Sequence, residues 1–138
     1  MALEIAEREQ EGIEILDLKG RITFGEEDLA LRNEIGRLTK EGKIRLVLNL
    51  RRVTEIDTTG LGTLLFALAK LRKAGGELAL AGLRPAHMEL LVIAKMETVF
   101  RVFGHEQEAI NSFFPDRQAP RFDILEFLES LRRKPAQC

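Results

Sequence analysis

Apolar positions along the 138-residue chain alternate between strand-like and helix-like spacing, which predicts strands followed by helices. Leu3 and Ile5, then Ile13-Glu14-Ile15-Leu16-Asp17-Leu18, predict two strands joined across Glu11-Gly12 as a hairpin, the second ending at Gly20. Leu29, Leu31, Ile35 and Leu38 give a first helix its apolar stripe. Glu26-Glu27-Asp28 places negative charge at that helix's positive end, and Gly42 closes it. Residues 43–50 predict a central strand with a polar break at Asn49, and residues 59–72 a helix with Leu64, Leu65 and Leu68 in the core. After a turn at Ala74-Gly75-Gly76 come a strand at residues 77–81 and a helix opened by Pro85, with Met88, Leu91 and Val92 on one face. A strand at residues 99–103 and a helix at residues 106–113, with Ala109, Ile110 and Phe113 inward, complete the alternation.

This order implies βαβ units, hence an α/β fold with a largely parallel sheet made mixed by its first two strands. Right-handed crossovers follow. The main domain is expected over residues 1–114 and a linker over 115–121. A C-terminal amphipathic helix over 122–134 then carries Ile124, Leu125, Leu128 and Leu131 at helical spacing, with Asp123 as its cap and Arg132-Arg133-Lys134 at its end. Two readings stand for it: docking on its own domain, or an interaction element that makes a homodimer or holds a partner. Asp123, Glu126 and Glu129 share it with the bases, which argues against a membrane-surface helix.

Composition narrows the function classes. A chain of this length buries roughly two thirds of its unfolded surface and needs no covalent staples. The 21 basic and 22 acidic residues nearly cancel, which removes the basic excess typical of nucleic-acid binding, and no Trp or Tyr supplies a stacking platform. The one cysteine, Cys138, excludes a disulfide within the chain and reads as an ordinary terminal thiol. The N-terminus lacks a signal-peptide core, and no apolar run approaches the roughly 20 residues of a membrane span, so a cytoplasmic protein is expected. His87 and His105 stand far apart with no ligand cluster, so no metal is expected. Gly60-Leu61-Gly62 lacks the Gly-Lys-Ser/Thr of a phosphate loop and the third glycine of a dinucleotide fingerprint, so no cofactor is expected. With no nucleophile–base pair, an enzyme is not expected either.

The chemistry concentrates in Val53-Thr54-Glu55-Ile56-Asp57-Thr58-Thr59-Gly60-Leu61-Gly62, where the central strand hands over to a helix. Two hydroxyls and an acid stand at the junction, with two glycines in the first turn. Glycine costs a helix about 1 kcal/mol relative to alanine, so a pair of them predicts that something comes close to the backbone. Hydroxyls at a helix N-terminus can cap free N–H groups or carry a phosphate, which the helix dipole favours. From spacing alone, Thr58 and Thr59 are caps or a modification site, Asp57 a turn or capping residue, and Arg51-Arg52 a solvated loop or part of a partner surface.

In this context the motif resembles a STAS domain, above all the anti-sigma-factor antagonists (anti-anti-sigma factors) of bacterial signalling. Leu48-Asn49-Leu50, Gly75-Gly76-Glu77-Leu78 and Thr98-Val99-Phe100-Arg101-Val102-Phe103 carry the same resemblance, which runs over residues 13–114. It implies a single STAS-type domain that binds an anti-sigma factor which is also a serine/threonine kinase. It further implies phosphorylation at the hydroxyl after the motif aspartate, here Thr58, with release of the partner, and a phosphatase that reverses the mark. Asp57, Thr59, Gly60, Leu61, Gly62 and Thr23 become expected partner-binding residues, with the two glycines admitting the partner and Asp57 orienting the Thr58 hydroxyl. A phosphate adds about −1.5 to −2 charges. A helix N-terminus tolerates that charge, while a partner packed over it does not. The chain departs from the usual pattern in having Asn49 where antagonists often carry aspartate, Arg21-Ile22-Thr23 where they often carry an acid, and threonine at 58 where serine is usual. The departures at Asn49 and Thr23, together with the extra C-terminal helix, motivate an alternative, a STAS regulatory subunit without a phospho-switch, such as that of a lipid-transporting ATPase.

Overall fold

Glu11 and Gly12 both adopt positive φ, at 56° and 81°, in the computed structural model, which describes residues 3–133. Two successive positive-φ residues suit the tight hairpin turn that follows the strand twist. They join β1 (Glu4–Gln10) to β2 (Ile13–Ile22) in an antiparallel pair with Gln10 opposite Ile13. The chain continues through α1 (Glu26–Lys40), β3 (Arg45–Ile56), α2 (Thr58–Lys73), β4 (Glu77–Ala81), α3 (Pro85–Ile93), β5 (Arg101–Phe103), α4 (Glu106–Asn111) and α5 (Ile124–Arg133). The strands form one five-stranded sheet in the order β1-β2-β3-β4-β5, parallel from β2 to β5. The α/β fold expected from the alternation is the one observed.

Side chains alternate across each strand, so the sheet has two different faces. Leu16, Leu48, Leu80 and Val102 lie in the larger core, together with the buried residues of α1, α2 and α3. Ile13, Val47, Ala79 and Phe103 lie in a smaller core closed by Ala109 and Ile110 of α4. α5 sends Ile124 and Leu128 into the larger core, while Leu125 and Leu131 face outward. The chain reaches it along β5, where the Phe122 N–H donates to the Val102 carbonyl at 2.8 Å. Asp123 Oδ1 accepts from the Glu126 N–H at 3.0 Å, as its capping role requires.

Four local expectations are corrected. β2 does not end at Gly20 but continues to Ile22, and β3 does not end at Leu50 but continues to Ile56. The two extensions pair with each other, Gly20 with Val53 and Ile22 with Ile56, while β4 accompanies β3 only as far as Asn49. A ladder with one partner and wet faces accepts Arg51, Arg52, Thr54 and Glu55, so hydropathy does not reveal it; Arg51 and Arg52 are exposed strand residues, not a loop. Leu29 leaves the predicted stripe because it precedes Leu31 by two residues, about 200° around the helix, and it is 58% exposed.

Asn49 belongs to a polar network on the α4 face. The Arg8 guanidinium bridges Asp17, at 2.6 Å, and Glu106. The Asn49 amide donates to the same two carboxylates at 2.9 and 3.3 Å. The network ties α4 to β1, β2 and β3, and an aspartate at 49 would crowd a third carboxylate around one arginine. The Arg8 hydrogen bond holds Asp17 below its ordinary value of 3.8, outweighing the opposing effect of burial. A depressed folded-state value stabilises the fold above 3.8, and this contribution is lost as pH falls through the lower folded value. Urea denaturation of Asp17→Asn across acidic pH should therefore give a shallower loss of stability below 3.8 than the wild type; an unchanged slope would contradict the assignment.

Candidate functional site

β3 delivers Asp57 in an extended conformation (φ −99°, ψ −174°), and α2 begins at the next residue. Asp57 Oδ1 accepts from the Gly60 N–H at 2.7 Å, and Oδ2 accepts from the Phe24 N–H at 3.1 Å. The Asp57 N–H donates to the Ile22 carbonyl at 3.4 Å. One carboxylate thus caps α2 and ties it to the β2–α1 loop, placing Thr23 and Phe24 beside the helix end. This corrects the idea that Asp57 orients the Thr58 hydroxyl, since both its oxygens are engaged by backbone. The cap of α2 is Asp57, and the two threonines are relieved of that role.

Thr58 is exposed and its hydroxyl makes no hydrogen bond among the described residues. Thr59 is half-buried, and its carbonyl accepts from the Thr63 hydroxyl at 3.2 Å. Thr63, fully buried, also bonds the Asp28 carboxylate, which accepts from Arg32 at 2.9 Å. Burial pushes Asp28 upward, but the hydrogen bonds from Thr63 and Arg32 outweigh it and leave it below its ordinary value. α1 and α2 are therefore locked together directly behind the exposed threonine.

The two motif glycines have opposite reasons. A Cβ on Gly60 would lie 1.9 Å from the Ile22 carbonyl oxygen, so glycine here lets α2 press against the end of β2. Gly60 and its neighbour Leu61 are buried within the protein's own fold. A Cβ on Gly62 would meet nothing within 4 Å, so no internal packing explains that glycine. Thr23 and Gly62 are half-buried near the surface.

Phe24, 79% exposed, escaped the sequence reading although its backbone is bonded to Asp57. The one signal for it is a large apolar residue outside any periodic run, just before Gly25. His87, considered from the sequence only as a metal ligand, is buried, with Nδ1 unpartnered. Burial holds its pKa below the ordinary 6.5, with Arg84 adding to the effect and a backbone hydrogen bond at Thr54 opposing it. Among the described residues no group of three or more His, Cys, Asp or Glu could hold a metal ion, and no helix is long and apolar enough to cross a membrane.

The chemistry available here is that of a helix terminus. The Thr58 and Thr59 N–H groups have no intrahelical acceptor, and the dipole favours negative charge beside them. The basic residues of α2 gather at its other end, at Lys70, Arg72 and Lys73. A phosphate on Thr58 would thus be accommodated without disturbing any hydrogen bond of the fold.

Fold and site together define a small α/β domain whose surface chemistry lies at one capped helix end. Residues 4–109 match the model of the STAS domain, and the chain belongs to that family. It is 31% identical over 83 residues to BtrV of Bordetella bronchiseptica, a protein named by inference as an anti-sigma factor antagonist; the match covers 60% of this chain and 72% of BtrV. The fold is similar to that of TM1081 from Thermotoga maritima, also assigned by inference as an anti-sigma factor antagonist, with a TM-score of 0.73 and 18% identity over 78% of this chain and 92% of that one. It is also similar to the Bacillus cell fate determinant SpoIIAA in its phosphorylated form, with a TM-score of 0.62 and 17% identity over 80% of this chain and 99% of that one.

The glycine pair can be tested by urea denaturation. Gly60→Ala should lower stability by about 1–3 kcal/mol through overpacking against Ile22. Gly62→Ala should raise it by about 0.5–1 kcal/mol through helix propensity. Equal effects at the two positions would contradict the structure.

Proposed function

We propose that the protein is an anti-sigma-factor antagonist that binds an anti-sigma factor through the N-terminal surface of α2 and is released when Thr58 is phosphorylated. The observation that carries this reading is the Thr58 hydroxyl, exposed at the first position of a helix whose capping is done by Asp57. It is free for modification, and the names of the relatives point to the same activity. The partner is then an anti-sigma factor with serine/threonine kinase activity, and a phosphatase restores the binding form. The contact surface comprises Thr58, Thr59, Gly62 and Thr23, joined by Phe24, with Asp57, Gly60 and Leu61 supporting it from beneath. The role is binding in the cytoplasm, without turnover.

The physics of release is asymmetric. In the free protein a phosphate at Thr58 meets water, unpaired N–H groups and a favourable dipole. In the complex the same phosphate is desolvated against the partner, which is costly without a counter-ion. One modification therefore opposes the complex and spares the fold. The alternative, an unswitched regulatory subunit such as that of a lipid-transporting ATPase, loses the support it drew from Asn49, which serves the network on the α4 face.

Thr58→Glu should weaken binding to the purified anti-sigma factor by about a hundredfold, in the range of a strong interface hot spot, with an unchanged thermal midpoint. Thr58→Ala should bind and resist phosphorylation. Wild-type affinity in Thr58→Glu, measured by calorimetry, would overturn the proposal.

A further inference from the structure

α1 and α2 run side by side, with Asp28 bonded to Thr63 and the Arg32 guanidinium 4.8 Å from the Phe66 ring centroid. Along their outer surface lies a groove of about 530 Å³ floored by Gly36 and Phe66. Arg32, Arg37, Lys40 and Lys70 line it, and no carboxylate does. Arg32 and Arg37 are paired from behind with acids of the protein itself. Lys40 and Lys70 are exposed and make no ion pair among the described residues, so they supply the groove's uncompensated charge.

Glycine marks the α1 wall at Gly36, and Gly62 of α2 lies four residues before the wall residue Phe66. Gly36 of α1 and Gly62 of α2 sit in helical backbone, and a Cβ on either would meet nothing within 4 Å. Glycine weakens a helix, and neither internal packing nor a left-handed conformation requires it at these two positions. Both leave room for a backbone approaching from outside. Thr58, Gly62, Phe66 and Lys70 follow one another at four-residue intervals and so share a side of α2. Phe66 and Lys70 line the groove, so this side of α2 runs from the exposed threonine into it.

We propose that this groove takes an acidic amphipathic helix of the anti-sigma factor, its apolar side on Gly36 and Phe66 and its carboxylates on Lys40 and Lys70. The proposal rests on the antagonist reading and adds a second contact to it. The groove between two packed helices suits a third helix laid along it, and the lysines select an acidic one. The chain's net charge of −1 and the groove's single aromatic ring disfavour nucleic acid as the occupant. Because the cationic end lies turns away from Thr58, it steers the first encounter electrostatically, and the phosphorylation site decides whether the complex persists.

The test is stopped-flow and equilibrium binding of the purified anti-sigma factor to the full chain at two salt concentrations. The double variant Lys40→Glu/Lys70→Glu should bind about tenfold or more weaker, chiefly through a slower association rate, and lose most of the salt dependence. Gly36→Gln should weaken binding with a thermal midpoint no lower than the wild type, because its side chain fills the groove and not the core. Wild-type affinity in both variants, with binding still lost in Thr58→Glu, overturns the groove proposal alone. Failure of the wild-type chain to bind the factor overturns the antagonist reading, and this proposal with it.

Discussion

The carboxylate of Asp57 holds two backbone N–H groups from segments far apart in sequence, and the candidate surface depends on that pair of hydrogen bonds. Gly60 ties it to α2, and Phe24 ties it to the loop after β2. Loss of a capping side chain alone costs about 0.5–2 kcal/mol. Here the same loss also releases the loop that places Thr23 and Phe24 beside the helix. Because the cap is an aspartate one residue earlier, the threonine at the helix start keeps its hydroxyl in solvent. The fold thus separates holding the helix from offering the hydroxyl, and gives each task to a different side chain.

Packing behind that surface follows the same division. Gly60 permits a backbone approach between α2 and β2 that any side chain would block, while Thr63, Asp28 and Arg32 join α2 to α1. These contacts lie in or near the interior, behind the exposed threonine. On the opposite face of the sheet, Arg8, Asp17, Asn49 and Glu106 fasten α4. The helix face carries the candidate site, and the α4 face carries a structural network.

Much of this was legible in the sequence where burial is periodic. The hairpin at Glu11-Gly12, the strand at 77–81, the Leu31-Ile35-Leu38 stripe and the strand-to-helix junction all appear as expected. The extension of β3 was not legible, because its residues after Leu50 pair with β2 alone and leave no apolar rhythm. A pair of helix glycines announces close approach but cannot say from which side. Only the structure separates Gly60, pressed on Ile22, from Gly62, open to the outside. Asn49 read only as a departure from the family pattern, because strand neighbours in sequence alternate between faces and its face could not be assigned before the sheet was built.

The central claim is that Thr58 is a phosphorylation switch, and the most direct measurement is intact-mass analysis of the protein purified from its own cells, with peptide mapping of residues 53–72. The account predicts a fraction of the protein carrying one phosphate, located on Thr58 and varying with growth conditions. An unmodified Thr58 throughout growth, stress and starvation, or a phosphate placed on another residue, would contradict it.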